Sequence, residues 1–143
     1  PQNYKVAVKW YQLAVDLGHK NAKSNLLALA IKSPEALELL ITDAENGNPE
    51  SQYHLGLIYS KVTGLQDYVL AHQWFNLASS RGNQYAEKNL NLIENKMTPQ
   101  QIEDAQEMAR SWKPTSKLII LWRNVWKRLK YKTGLEFWMI KSM

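Results

Sequence analysis

A chain of 143 residues, 45% apolar and 22% charged, has enough material for one domain with a real core. It has no cysteine, which removes a disulfide framework and any thiolate metal site, and its unbroken apolar runs, such as LLALAI at 26–31 and LIILW at 118–122, fall far short of the roughly 20 residues a bilayer-spanning helix needs. The formal charge of +5 is unevenly held: residues 1–112 carry 10 Lys or Arg against 12 Asp or Glu, and residues 113–143 carry 8 against 1, so any affinity for nucleic acid or anionic lipid belongs to the tail.

The chain starts at Pro1 with neither an initiator Met nor a signal-peptide pattern, and reads as an N-terminally truncated piece of something longer. Asn3 then stands as an N-cap before a helix whose Ala7, Trp10, Tyr11, Leu13 and Ala14 share one face at a 3.6-residue period. Gly18 suits the left-handed residue that ends a helix, and Ala22 and Leu26 open the next one. Ser33 followed by Pro34 caps a third helix with proline at its first position, and Gly47 closes it. Another helix follows, with Gly56 in its middle where a small residue lets two backbones approach closely. After the loop SKVTGLQD, Asp67 caps a helix carrying Ala71, Trp74, Phe75, Leu77 and Ala78, Gly82 ends it, and Ala86 and Leu90 begin the next. Thr98, Pro99 and Gln101 form a capping-box start to a last helix, in which Ile102, Ala105, Ala109 and Trp112 make a narrow apolar stripe.

Much of this is one layout written more than once. Ala7, Trp10, Leu13, Ala14, Gly18, Ala22 and Leu26 recur 64 residues later as Ala71, Trp74, Leu77, Ala78, Gly82, Ala86 and Leu90. A degenerate copy keeps the phase about Gly47 with Ala36, Leu39, Leu40, Ser51 and Leu55. Self-similarity at steps of this size marks a repeat array in which each unit buries its apolar face only by stacking on its neighbours.

The stretch ESQYHLGLIYSKVTGLQDYVLAHQWFNLASSRGNQYAEKNL resembles the Sel-1-like repeat, a relative of the tetratricopeptide repeat. The resemblance implies an all-α fold, a right-handed α-solenoid of antiparallel helix pairs over residues 3–97, with a capping helix at 98–112 and a basic aromatic tail at 113–143. It also implies a non-catalytic protein–protein scaffold or adaptor, of bacterial cytoplasm or periplasm, whose partner is another protein rather than a small-molecule substrate. In related repeats the first helix of each pair lines the concave face. That orientation makes Asn21 and Ser24, then Glu50, Tyr53 and Leu57, then Tyr85 and Lys88, the expected partner contacts. Val62 departs from the family pattern, which usually has a glycine in that interhelix loop.

No chemistry competes with this reading. His19, His54 and His72 form no ligand pair on one helical face, and no metal or other cofactor is expected; although polar residues in the helix of His54 commonly face solvent or a bound peptide, His54 and His19 are both expected to be structural. Glu103 with Asp104 and Glu35 with Glu38 have the spacing of solvated helical faces, and no nucleophile or phosphate-loop motif occurs, so no catalytic residue is expected. Trp10, Tyr11, Trp74 and Phe75 recur in phase and are expected in the core. In the tail, Leu118, Trp122, Val125, Trp126 and Leu129 fit one helical face, and Arg123, Lys127, Arg128 and Lys130 the other. Three readings of that tail stay open. It is a tether to a membrane surface or nucleic acid through those basic residues with Trp122 and Trp126, a packing element on the solenoid's end, or an extension without a role.

Overall fold

In the computed structural model, which describes residues 3–64, 66–115, 119, 121–123 and 125–126, the described residues form seven helices. They are α1 (Tyr4–Asp16), α2 (Ala22–Lys32), α3 (Pro34–Glu45), α4 (Pro49–Lys61), α5 (Tyr68–Ser80), α6 (Gln84–Glu94) and α7 (Pro99–Ser111).

The turns between α1 and α2, α3 and α4, and α5 and α6 are copies of one another down to the hydrogen bond. Gly18, Gly47 and Gly82 have φ of 78°, 94° and 92°. In each turn the residue after the glycine donates its N–H five residues back, His19 to Ala14, Asn48 to Asp43 and Asn83 to Ala78, at 3.0 to 3.1 Å. This is the closure that satisfies orphan carbonyls at a helix end, and it requires a left-handed residue that glycine adopts without steric cost. The starts are equally local. Asn3, Ser33, Asn48, Asp67 and Asn83 accept first-turn backbone N–H groups through their side chains, and Thr98 with Gln101 forms the reciprocal capping box. At Val62, the departure from the family pattern, the chain stays extended with φ −84°, and Gly64 supplies the left-handed residue two positions later at φ 87°.

Packing follows the repeat. α4 and α5 form the most extensive helix pair, and α5 is covered further by α6 and α7, α3 by α4, and α1 by α2 and α3. Gly56 is the reason α4 and α5 sit so close: a Cβ built there would fall 2.4 Å from Phe75 Cδ1. One core cluster joins Val8, Leu26, Leu40, Leu55, Ile58, Trp74 and Leu77, and a second joins Tyr53, Leu57, Phe75, Ala78, Ala86 and Ile93. Each fully buried Leu or Phe contributes roughly 1.5–3 kcal/mol relative to exposure. The result is an α-solenoid of antiparallel helix pairs.

α7 lies against α5, with Ala105 buried and Ala109 and Trp112 against the first cluster. The Trp112 ring meets Trp74 edge-on at 6.4 Å, and the Arg81 guanidinium sits 4.8 Å from the Trp112 ring centre. Beyond α7 the chain returns to the end of α3, where Thr115 donates its N–H to the Glu45 carbonyl at 2.7 Å. The expectation that all four in-phase aromatics are core holds for Trp74 and Phe75 but not for Trp10, which is 66% exposed against 8% for Trp74. The cause is positional. Trp74 has α4 and α7 beside it, whereas α1 is packed only on the side of α2 and α3, and Val6, Leu13 and Leu17 are exposed along with Trp10.

Candidate partner-binding face

α2, α4 and α6 are the helices that follow the three cap glycines, and they hold six of the seven expected contacts, with Asn21 at the N-cap of α2. Asn21, Glu50 and Tyr85 lie three residues after a glycine, Ser24, Tyr53 and Lys88 six after it, and Leu57 ten after Gly47. Equal phase does not give equal exposure. Ser24 and Lys88 are exposed, whereas Tyr53 is 3% and Leu57 1% exposed. α4 sits between α3, α5 and α6, and every residue from Ser51 to Ile58 is buried. Leu57 therefore packs with Tyr53 and Phe75 in the second cluster, where it is covered by the protein itself and offers no surface to a partner.

Of the remaining residues, Tyr85 and Glu50 lie near Tyr53. Its ring lies 6.1 Å from that of Tyr85, which is 65% exposed. Lys23 on α2 donates through Nζ to the Tyr53 hydroxyl and stands 4.9 Å over its ring centre. Glu50, on the first turn of α4, accepts from Asn83 Nδ2 at 2.8 Å, which links α4 to the start of α6. Burial sets the electrostatics here. It pushes the Lys23 ammonium pKa down and the Glu50 carboxyl and Tyr53 phenol pKa values up. Asn21, at the N-cap of α2, Ser24 and Lys88 are exposed and joined to this cluster by no side-chain hydrogen bond or ion pair. Sequence reasoning missed Lys23 and Asn83. Asn83 was legible as the helix-start residue after Gly82, but nothing in the repeat phase marks Lys23.

His54 is fully buried beside Tyr53, ring centres 5.5 Å apart, with neither ring nitrogen hydrogen-bonded. His72 is also buried and pairs through Nε2 with Glu94 Oε1 at 2.8 Å. Among the described residues no group of three His, Cys, Asp or Glu side chains could hold a metal ion.

A cleft of about 800 Å³ lies between α1 and α3, with Lys5 and Lys9 from one helix and Glu35, Glu38 and Asp43 from the other. Gln12 in its lining donates to Ser51 Oγ at 2.7 Å. Glu35 in this cleft is held below the usual carboxyl range by backbone and Ser33 hydrogen bonds, the opposite of what a general acid requires.

In the tail, Arg123 forms a two-pronged pair with Glu45, Nη2 to Oε2 at 2.9 Å and Nη1 to Oε1 at 3.3 Å, so this expected anion contact is held by a carboxylate of the body. Trp122 is 65% exposed and Trp126 half-buried. Lys127, Arg128 and Lys130 lie outside the described residues. Among the described residues no helix is long and apolar enough to cross a membrane.

Repeated helix pairs, identical cap turns and shared core clusters define a helical-repeat protein. The family model described as Sel1 repeat matches residues 1–19 and 49–83, the two places where the repeat is best written. The chain carries Sel1 repeats in these two stretches, and α3, the first helix of the middle copy, lies between them outside the match. No curated protein and no solved structure matched the chain. Sel1 repeats generally mediate protein–protein interaction and serve as helical scaffolds rather than catalysts.

Proposed function

We propose that this protein is a non-catalytic scaffold or adaptor that binds a segment of another protein on the face built by α2, α4 and α6. The observation that carries this reading is Tyr85. A large aromatic ring stands 65% exposed on a rigid helix, backed by the buried Tyr53, and rigid, partly exposed aromatics are the residues that most often anchor interfaces. Lys88 lies one turn further on the same helix, and Glu50 is tied to the start of that helix through Asn83. Replacing Tyr85 and Lys88 by alanine together is expected to reduce capture of the bound protein about tenfold or more, with an unchanged melting temperature because both side chains are exposed. The control is Glu103→Ala with Glu107→Ala on the exposed side of α7. Equal capture by all three proteins would remove the site from this face.

A second reading is favoured by one observation in the tail, where Leu121, Trp122 and Val125 are 59%, 65% and 44% exposed beside Arg123. An exposed apolar cluster with an interfacial tryptophan in a segment of charge about +7 suits an anionic membrane surface. On this reading, removal of residues 116–143 abolishes flotation with phosphatidylserine-rich vesicles, and added salt weakens flotation of the intact chain. Duplex DNA, tested alongside, separates lipid from general polyanion binding. Failure of the intact chain to float would end it.

A further inference from the structure

Lys23 is a half-buried cation whose charge meets no carboxylate. The ion pairs among the described residues are His72 with Glu94, Arg110 with Glu107, and Arg123 with Glu45. What Lys23 has is a neutral phenol, the Tyr53 hydroxyl oxygen that accepts its hydrogen bond, and the face of the same ring. A phenol oxygen and a ring quadrupole offset only part of the hydration an ammonium loses on burial, and burial does push its pKa down. The site is not short of polarity on its buried side either, since His54 lies beside Tyr53, ring centres 5.5 Å apart, with both ring nitrogens unpartnered.

The hydrogen-bond direction leaves an opening. Lys23 donates to Tyr53, so the Tyr53 oxygen acts as acceptor in that bond and the hydroxyl keeps its own proton, for which an arriving carboxylate, as an ionised acceptor, outcompetes the neutral Asn89 amide beside it. The ammonium keeps further donors as well. A carboxylate set beside the pair accepts from Lys23 and from Tyr53 at once, and hydrogen bonds to an ionised acceptor are about twice as strong as neutral ones. Glu50 fixes the direction: its negative charge, on the α6 side with Asn83, repels a second carboxylate and leaves the α2 side as the favourable one. On the other flank the exposed Tyr85 ring offers an aromatic platform 6.1 Å from Tyr53.

We infer that this face recognises an acidic peptide segment, with an internal Asp or Glu side chain seated between Lys23 Nζ and Tyr53 Oη and a neighbouring aromatic side chain stacked on Tyr85. The inference rests on the reading that the α2–α4–α6 face is the partner site, and adds the partner's chemistry.

The test is selection of a library of random linear peptides, with blocked termini, on the intact folded chain and on its Lys23→Met, Lys23→Arg and Tyr85→Ala variants, each first shown to melt like the parent. Peptides pairing Asp or Glu with an aromatic residue are expected to dominate on the parent. Their binding is expected to fall about tenfold on Lys23→Met, as loss of a charge-assisted hydrogen bond requires, and to survive on Lys23→Arg. Neutral or basic peptides that still depend on Tyr85 would overturn the acidic chemistry and leave the face standing. Binders indifferent to Tyr85, or none at all, would overturn both.

Discussion

Gly56→Ala is expected to destabilise the protein by about 2 kcal/mol, although glycine to alanine in a helix interior normally gains up to about 1 kcal/mol. The gain is outweighed because the new Cβ would stand 2.4 Å from Phe75 Cδ1, 2.5 Å from Cε1 and 2.9 Å from Cγ. Phe75 is 1% exposed and packed among Tyr53, Leu57 and Ala78, so its ring has no empty side to move into, and the α4–α5 pair must separate instead. Because that pair is the most extensive contact in the solenoid, separation is felt along its whole length. Urea denaturation measures the effect. The double variant Gly56→Ala with Phe75→Leu is expected to cost less than the sum of its parts, since the shorter side chain frees the space the methyl needs. A neutral or stabilising Gly56→Ala would show that the two helices are not held at contact distance by this residue.

The parts of this fold that were legible in the sequence are those determined within a few residues. The cap glycines, the Asn, Ser, Asp and Thr starts and the Pro34 and Pro99 first positions each fix a boundary through hydrogen bonds spanning at most five residues, and the structure makes those bonds. Exposure is a different kind of quantity. Trp10 and Trp74 have the same local sequence and phase, yet differ eightfold in exposure because one has a helix on each side and the other does not. The partner face shows the same limit. Ser24, Tyr53 and Lys88 are equivalent in the repeat, but only Tyr53 belongs to the helix enclosed by three others, and it alone is buried. Lys23 enters the site through a contact 30 residues away, which no repeat phase encodes. A periodic sequence thus specifies the unit, whereas which side chains reach a partner depends on how many units flank each one.

Acid is expected to weaken this protein through His54, and substitution of that residue is expected to remove most of the effect. His54 is fully buried with both ring nitrogens lacking a partner, and burial, with the Lys23 charge as a smaller cause, pushes its pKa down from 6.5 to about 4. The unfolded chain restores the ordinary value near 6.5. Above that pH the imidazole is neutral in both states and its titration leaves stability unchanged. As pH falls from about 6.5 towards 4 the unfolded chain takes up a proton that the folded chain refuses, so stability drops, and it levels off once the folded state is protonated too. A shift of this size corresponds to a loss on the order of 3 kcal/mol across that window. Glu50 works in the opposite sense lower down, because burial raises its pKa and the folded state then binds its proton first as the pH falls past the carboxyl range. The two effects are separated by substitution, since removing the imidazole changes only the histidine's share of the interval from 6.5 towards 4. His54→Leu replaces two unpartnered buried nitrogens with apolar atoms of similar volume, and is expected to be neutral or stabilising at pH 7 and to flatten that interval. Denaturant titrations of the parent and the variant at several pH values read the difference directly. Parallel curves for the two proteins would mean that His54 finds a partner or a proton in the folded state.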